Sequence, residues 1–182
     1  MKDITSVQFI IPNKLAAFIY KGDMDINILN ILLSTWRSVD DLFQFYETNK
    51  RIIANSTISS IFYSWENFSE DIMLDLEQLE DFIDDVANGK VNLDNAFHPL
   101  SRKEENVKIL SLRKHRCKWL RIYAIRIDEN LYVITGGAIK ITQKMQDHID
   151  TRYELTQLDY SRQWLKDQGI ETDESFYCYF DL

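Results

Sequence analysis

Residues 119–135 read WLRIYAIRIDENLYVIT, two apolar runs parted by the polar triplet Asp128, Glu129 and Asn130. β-Branched and aromatic side chains dominate both runs, and a polar triplet of this length makes a tight reversal, so the stretch predicts an antiparallel hairpin. The alternating run at 107–112 adds a third strand in series. A three-stranded meander follows, which commits this part of the chain to an α+β fold. Period two places Trp119, Arg121, Tyr123 and Ile125 on one face and Leu120, Ile122 and Ala124 on the other. A guanidinium among such residues needs an acceptor: a carboxylate, a carbonyl or an anionic ligand.

On the C-terminal side, Gly136 and Gly137 are expected to break the last strand or bend it. Thr151 and Glu154 have capping-box spacing ahead of Leu155, Leu158, Arg162, Trp164 and Leu165. They predict a helix to about Gln168, stopped by Gly169. The tail alternates in Phe176, Cys178 and Phe180 and reads as an edge strand or a docked segment. On the N-terminal side, residues 7–12 and 15–20 form a hairpin pattern. Asp25 is placed to cap a helix with Ile28, Leu29, Leu32, Leu33 and Trp36 on one face, and the register restarts after Ser38 with Leu42, Phe43, Phe45 and Tyr46. Residues 51–64 satisfy neither period for long. The clearest helix runs from a capping box at Asn67 and Glu70 to a stop at Gly89, with Ile72, Leu76, Leu79, Ile83 and Val86 as its apolar stripe. Its carboxylates, Asp71, Asp75, Glu77, Glu80, Asp81, Asp84 and Asp85, are expected around the outer face, with no histidine among them and so no metal site. Residues 92–105 read as a connector.

With 45% hydrophobic and 13% aromatic residues in 182, the chain has material for a real core. No run reaches the roughly eighteen apolar residues a membrane span needs, and an acid follows the first lysine at once, so no membrane partner and a cytoplasmic protein are expected. Cys117 and Cys178 are too few for a disulfide framework and read as free thiols. The net charge of −8 is unevenly spread: residues 1–100 carry seven basic and sixteen acidic side chains, 101–160 twelve and eight, 161–182 two and five. Affinity for phosphate comes from charge neutralisation, so the whole chain is a poor nucleic-acid binder while its middle block suits one. A division is therefore expected near residue 100, between an acidic, mostly helical region (1–100) with a short hairpin and an α+β domain (101–182).

The basic loop Arg113, Lys114, His115, Arg116 and Lys118, the strand WLRIYAI with Arg121 and Tyr123, the hairpin, and then GAIKITQK from Gly137 to Lys144 with a closing helix resemble the RelE/ParE toxin superfamily. The likeness is to its HigB branch and phage-derived relatives, and it covers about residues 105–168. The branch carries an arginine then an aromatic on this strand, followed by a Gly-Phe-x-Lys-Lys-Thr-x-Lys-like element. Here Ala138 stands at the aromatic and Ile141 at the second lysine, and Thr135 lies near where many members have histidine.

The resemblance implies a compact antiparallel sheet packed with helices whose concave face meets RNA on the ribosome, and metal-independent cleavage of messenger RNA. In that chemistry a ribose 2′-hydroxyl attacks the neighbouring phosphate, which calls for a base, an acid at the leaving oxygen and cations for the charge of the transition state. Arg116, Arg121 and Lys140 would stabilise the phosphate and His115 would move the proton, since histidine titrates near neutrality. Arg113, Lys114, Lys118, Lys144 and His148 would bind RNA or phosphate. No cofactor is implied, and a cognate antitoxin would be the protein partner. Two alternatives stand beside the nuclease. In one, the same fold is a non-catalytic interaction protein; in the other, the acidic half covers the basic face in cis. For Arg113 to Lys118 the competing explanation is an ordinary exposed turn, for Arg121 a core ion pair, and for His148 a plain surface position.

Overall fold

The computed structural model describes residues 1–55, 63–99, 107–110, 117–142 and 144–182. Its elements in chain order are β1 (Ile4–Ile11), β2 (Leu15–Tyr20), α1 (Ile28–Arg37), α2 (Val39–Asn55), α3 (Trp65–Ala87), α4 (Leu93–Ala96), β3 (His98–Pro99), β4 (Val107–Leu110), β5 (Leu120–Asp128) and β6 (Leu131–Ile139). A 3₁₀ turn (Met145–Asp147), α5 (Ile149–Asp167) and α6 (Asp173–Phe180) complete it. The fold is mixed α+β. Among the described residues no helix is long and apolar enough to cross a membrane.

The strands share one mixed sheet in the order β1-β2-β6-β5-β4-β3. β4, β5 and β6 form the expected antiparallel meander, with Tyr123 facing Gly136 and Ile125 facing Val133. The N-terminal hairpin of β1 and β2 joins it through β2, which runs parallel to β6 in the register Leu15 to Tyr132, Ala16 to Val133 and Ala17 to Ile134. Strands from both sides of residue 100 therefore lie in one sheet and feed one buried core. LAAFIY shows no alternation because β2 is an interior strand buried on both faces.

The two glycines of β6 show what covers each face, since consecutive strand residues point to opposite sides. A Cβ on Gly137 would meet Arg121 O at 2.7 Å and Leu32 and the Trp36 ring of α1 at 2.9 Å; one on Gly136 would run into the Glu154 carboxyl of α5. Helix α1, with α2 and α3 beside it, thus covers one face, and α5 the other, with α6 packed by Phe176 and Phe180 against β1 and Trp164. Of the expected break or bend at Gly136 and Gly137, the break does not occur. β6 continues to Ile139, with a register shift opposite Tyr123 and Ala124, and the glycines serve close packing of helices rather than a turn.

Several helix ends shift from their expected places. Asn27, not Asp25, caps α1, because Met24 and Asp25 are spent on a turn with φ of 51° and 61°. Ser64 caps α3 by accepting from the Asn67 amide, so Asn67 lies in the first turn. α5 is capped by His148, whose ring accepts from the Asp150 amide, in place of the Thr151–Glu154 box. The stops hold: Gly89 and Gly169 follow α3 and α5 with φ of 73° and 71°, the left-handed conformation that lets the chain leave the helix. The tail is not an edge strand but docks on the core, as the helix α6, with Phe176 and Phe180 one turn apart and a capping box at Thr172 and Ser175.

Candidate functional site

Where β5 begins, five residues fold into a knot against α3. The Asp75 carboxylate, 2% exposed, accepts from three successive amides: Lys118 N at 2.7 Å, Trp119 N at 2.6 Å and Leu120 N at 2.8 Å. On the other side Arg121 Nη1 donates to the carbonyls of Cys117 (3.1 Å) and Leu120 (2.6 Å). The backbone entering the strand is thereby satisfied from both directions, by an acid through its amides and by a base through its carbonyls. Burial pushes the Asp75 carboxyl above the ordinary range, against the pull of those three amides and of Arg121. Burial pushes the Cys117 thiol beside it up to about 12, so this cysteine is inert as a nucleophile.

One turn earlier on α3, Asp71 Oδ2 accepts from Lys118 Nζ at 2.6 Å and from Trp119 Nε1 at 3.2 Å. The same ammonium lies 4.4 Å from the centre of the Tyr63 ring. Lys118 and Asp71 are both partly shielded from water. Trp119, fully buried, packs edge-on against Phe68, so α3 and the start of β5 meet through apolar and ionic contacts together.

Asp71 and Asp75 were expected on the outer surface of their helix, and the structure corrects this. The buried residues of α3 are Phe68, Ile72, Asp75, Leu76, Leu79, Phe82 and Val86, which keep the expected Ile72, Leu76, Leu79 and Val86 and add Phe68, Asp75 and Phe82, while Ile83 is partly buried. Phe68, Ile72, Asp75, Leu79, Phe82 and Val86 recur at steps of four and three. A carboxylate standing in that series is a legible sign of a buried acid with donors to meet, masked in the sequence by the run of acids around it.

Of the cationic candidates, Lys118, Arg121 and Lys140 come to the same end of the β5–β6 pair: the Lys140 amide donates to Trp119 O, within the knot, at 2.8 Å. Lys144 is exposed a few residues further on, before the 3₁₀ turn. His148 is elsewhere and is not at the surface. It is 7% exposed between α2 and α5, with Nε2 3.0 Å from Asn49 Oδ1. The Asn49 amide nitrogen donates to Phe45 O, which leaves its oxygen for the ring and puts the imidazole proton on Nε2. The shallow cleft there, about 280 Å³, also presents Asp41 and Asp150, and those carboxylates oppose a phosphate. Arg113, Lys114, His115 and Arg116 lie outside the described residues. Among the described residues no group of three or more His, Cys, Asp or Glu side chains is arranged to hold a metal ion.

Compared with protein-family models, with curated proteins and with solved structures, the chain matches none.

Proposed function

We propose that the protein is a RelE-related regulatory module in which the acidic N-terminal half covers the basic edge of the C-terminal sheet. The observation that carries this is the Asp71 carboxylate on Lys118 Nζ, 2.6 Å away, with Asp75 one turn later holding the amides of residues 118–120. A phosphate reaching Lys118 has to displace Asp71 and to approach beside Asp75, so the helix answers the cation that RNA would otherwise neutralise. Arg121, the residue the toxin resemblance would give to the phosphate, spends donors on the carbonyls of Cys117 and Leu120. Such a protein binds RNA weakly until the Asp71 contact is broken, and covering rather than cleavage is its resting condition.

The test compares full-length wild type, Asp71→Asn and Arg121→Ala in a bacterial host for growth and messenger RNA integrity, and in vitro for binding of single-stranded RNA over a salt series. Asp71→Asn keeps the shape and removes the charge. The wild type is expected to leave growth and message intact, and Asp71→Asn to bind more tightly, with its log K against log salt slope steeper by about 0.7, one phosphate contact. Messenger RNA cleavage by the wild type, abolished in Arg121→Ala, would replace this proposal with the metal-independent endoribonuclease.

A further inference from the structure

On the face of the sheet opposite α3, Glu154 projects from α5 into the space that the missing side chain of Gly136 leaves open. Its Oε2 is buried with no hydrogen-bond partner, and so is the hydroxyl of Tyr123, on the strand next to Gly136. Two unpartnered polar atoms in one small region are unusual, because each ordinarily costs the fold the water it gave up. An ionised carboxylate in that place would cost far more than a neutral acid.

The charged and titratable groups around it do not compensate. Lys2, the cation that acts on Glu154, has its ammonium held by Asp23 at 2.9 Å. From α5 itself Asp150 opposes a second negative charge; from β2 and β5 the phenols of Tyr20 and Tyr123 face it, both pushed up chiefly by their own burial. On β6 the Gly137 amide favours the ionised form. Burial outweighs these and raises the Glu154 carboxyl to about 8.

Different contacts hold the two ends of the helix. Gln157 exchanges hydrogen bonds with the Lys2 backbone at 2.9 and 3.0 Å, and beyond it Leu158, Ser161 and Leu165 are buried while Trp164 packs edge-on against Phe18. The two turns before Gln157 meet the sheet at Gly136 through the Glu154 side chain, and their start is anchored by buried Thr151, whose hydroxyl donates to His148 O, and by His148 on Asn49. We propose that Glu154 is a proton-operated latch: as a neutral acid it lets the first two turns of α5 lie flush on Gly136, and on losing its proton it draws them off the sheet. The open form exposes the face of β5 that carries Tyr123.

The sign follows from linkage. The closed form holds the proton more tightly than an exposed glutamate does, so closure is strongest at low pH and weakens as pH rises toward the closed-state titration. Amide hydrogen exchange by mass spectrometry, corrected for intrinsic rates, reads this directly on the full chain. Between about pH 5 and 8 the protection of residues 149–157 should fall roughly tenfold per pH unit and then level off, while residues 65–87 keep theirs. In parallel, the 13C resonance of the Glu154 carboxyl should titrate well above those of the other glutamates. Glu154→Gln, which cannot ionise, should remove the pH dependence. A Glu154 resonance titrating in the ordinary range would overturn the latch, as would constant protection of 149–157. Equal loss in 65–87 would overturn it too, by showing global unfolding in place of local opening.

Discussion

Asp75 shows how one side chain sets the start of a strand. Each of its bonds is a charge-assisted bond to a backbone amide in a dry place, and without them three consecutive N–H groups face α3 with nothing to accept them. Asp75→Asn keeps the volume but turns one acceptor oxygen into a donor aimed at donors. A loss of about 3 kcal/mol is expected. With a urea slope of about 2 kcal/mol/M this lowers the unfolding midpoint by roughly 1.5 M at unchanged slope, which equilibrium urea unfolding followed by circular dichroism will measure. Asp81→Asn, on the exposed side of the same helix, should move the midpoint by less than about 0.3 M. The need of Arg121 for an acceptor could be read from its place among apolar neighbours, but not which acceptor, because the carbonyls of Cys117 and Leu120 belong to a bend whose amides are held by Asp75 of α3, far away in sequence. His148 was harder: a histidine between two acids looks like surface, and its burial depends on Asn49, ninety-nine positions away.

At the level of elements, local pattern carried the meander, the N-terminal hairpin, the apolar α1 and the glycine stops of α3 and α5, because each is encoded by neighbours in sequence. It did not carry what long-range contacts decide. The alternation of Phe176, Cys178 and Phe180 suggests a strand, yet Phe176 and Phe180 also sit one helical turn apart, and packing on β1 and Trp164 selects the helix. Gly136 and Gly137 read as a break because nothing nearby in sequence reveals that helices approach from both sides. Gly137→Ala tests this: its methyl would press on Arg121 O at 2.7 Å, a backbone atom that cannot yield, and on α1 at 2.9 Å. Overpacking of this kind costs about 1–3 kcal/mol, so a melting temperature lower by roughly 3–10 °C is expected by differential scanning calorimetry. Ser64→Ala, which removes the α3 cap alone, should cost about 1 kcal/mol and leave the sheet unchanged.

For the whole molecule, the charge partition near residue 100 coincides with no division of the described sheet. β6 is bonded on one side to β5 and on the other to β2, so cutting the chain at residue 100 leaves Tyr132, Val133 and Ile134 on a bare, apolar edge. The cut also strips the α3 carboxylates from the 117–121 knot and α1 from the Gly137 face, so the fragment loses strands β1, β2 and β3, a capping acid and a core layer together. Residues 101–182 expressed alone should therefore lack a cooperative thermal transition and give a poorly dispersed amide NMR spectrum. Co-expression with residues 1–100 as a separate chain should restore both, since the contacts between the halves are noncovalent. A well-dispersed spectrum from 101–182 alone would mean that β6 tolerates an open edge and that the acidic half is an addition to a self-sufficient fold. The restored complex should dissociate more readily in salt if the Asp71–Lys118 contact contributes to holding the halves together, and Asp71→Asn should flatten that salt dependence.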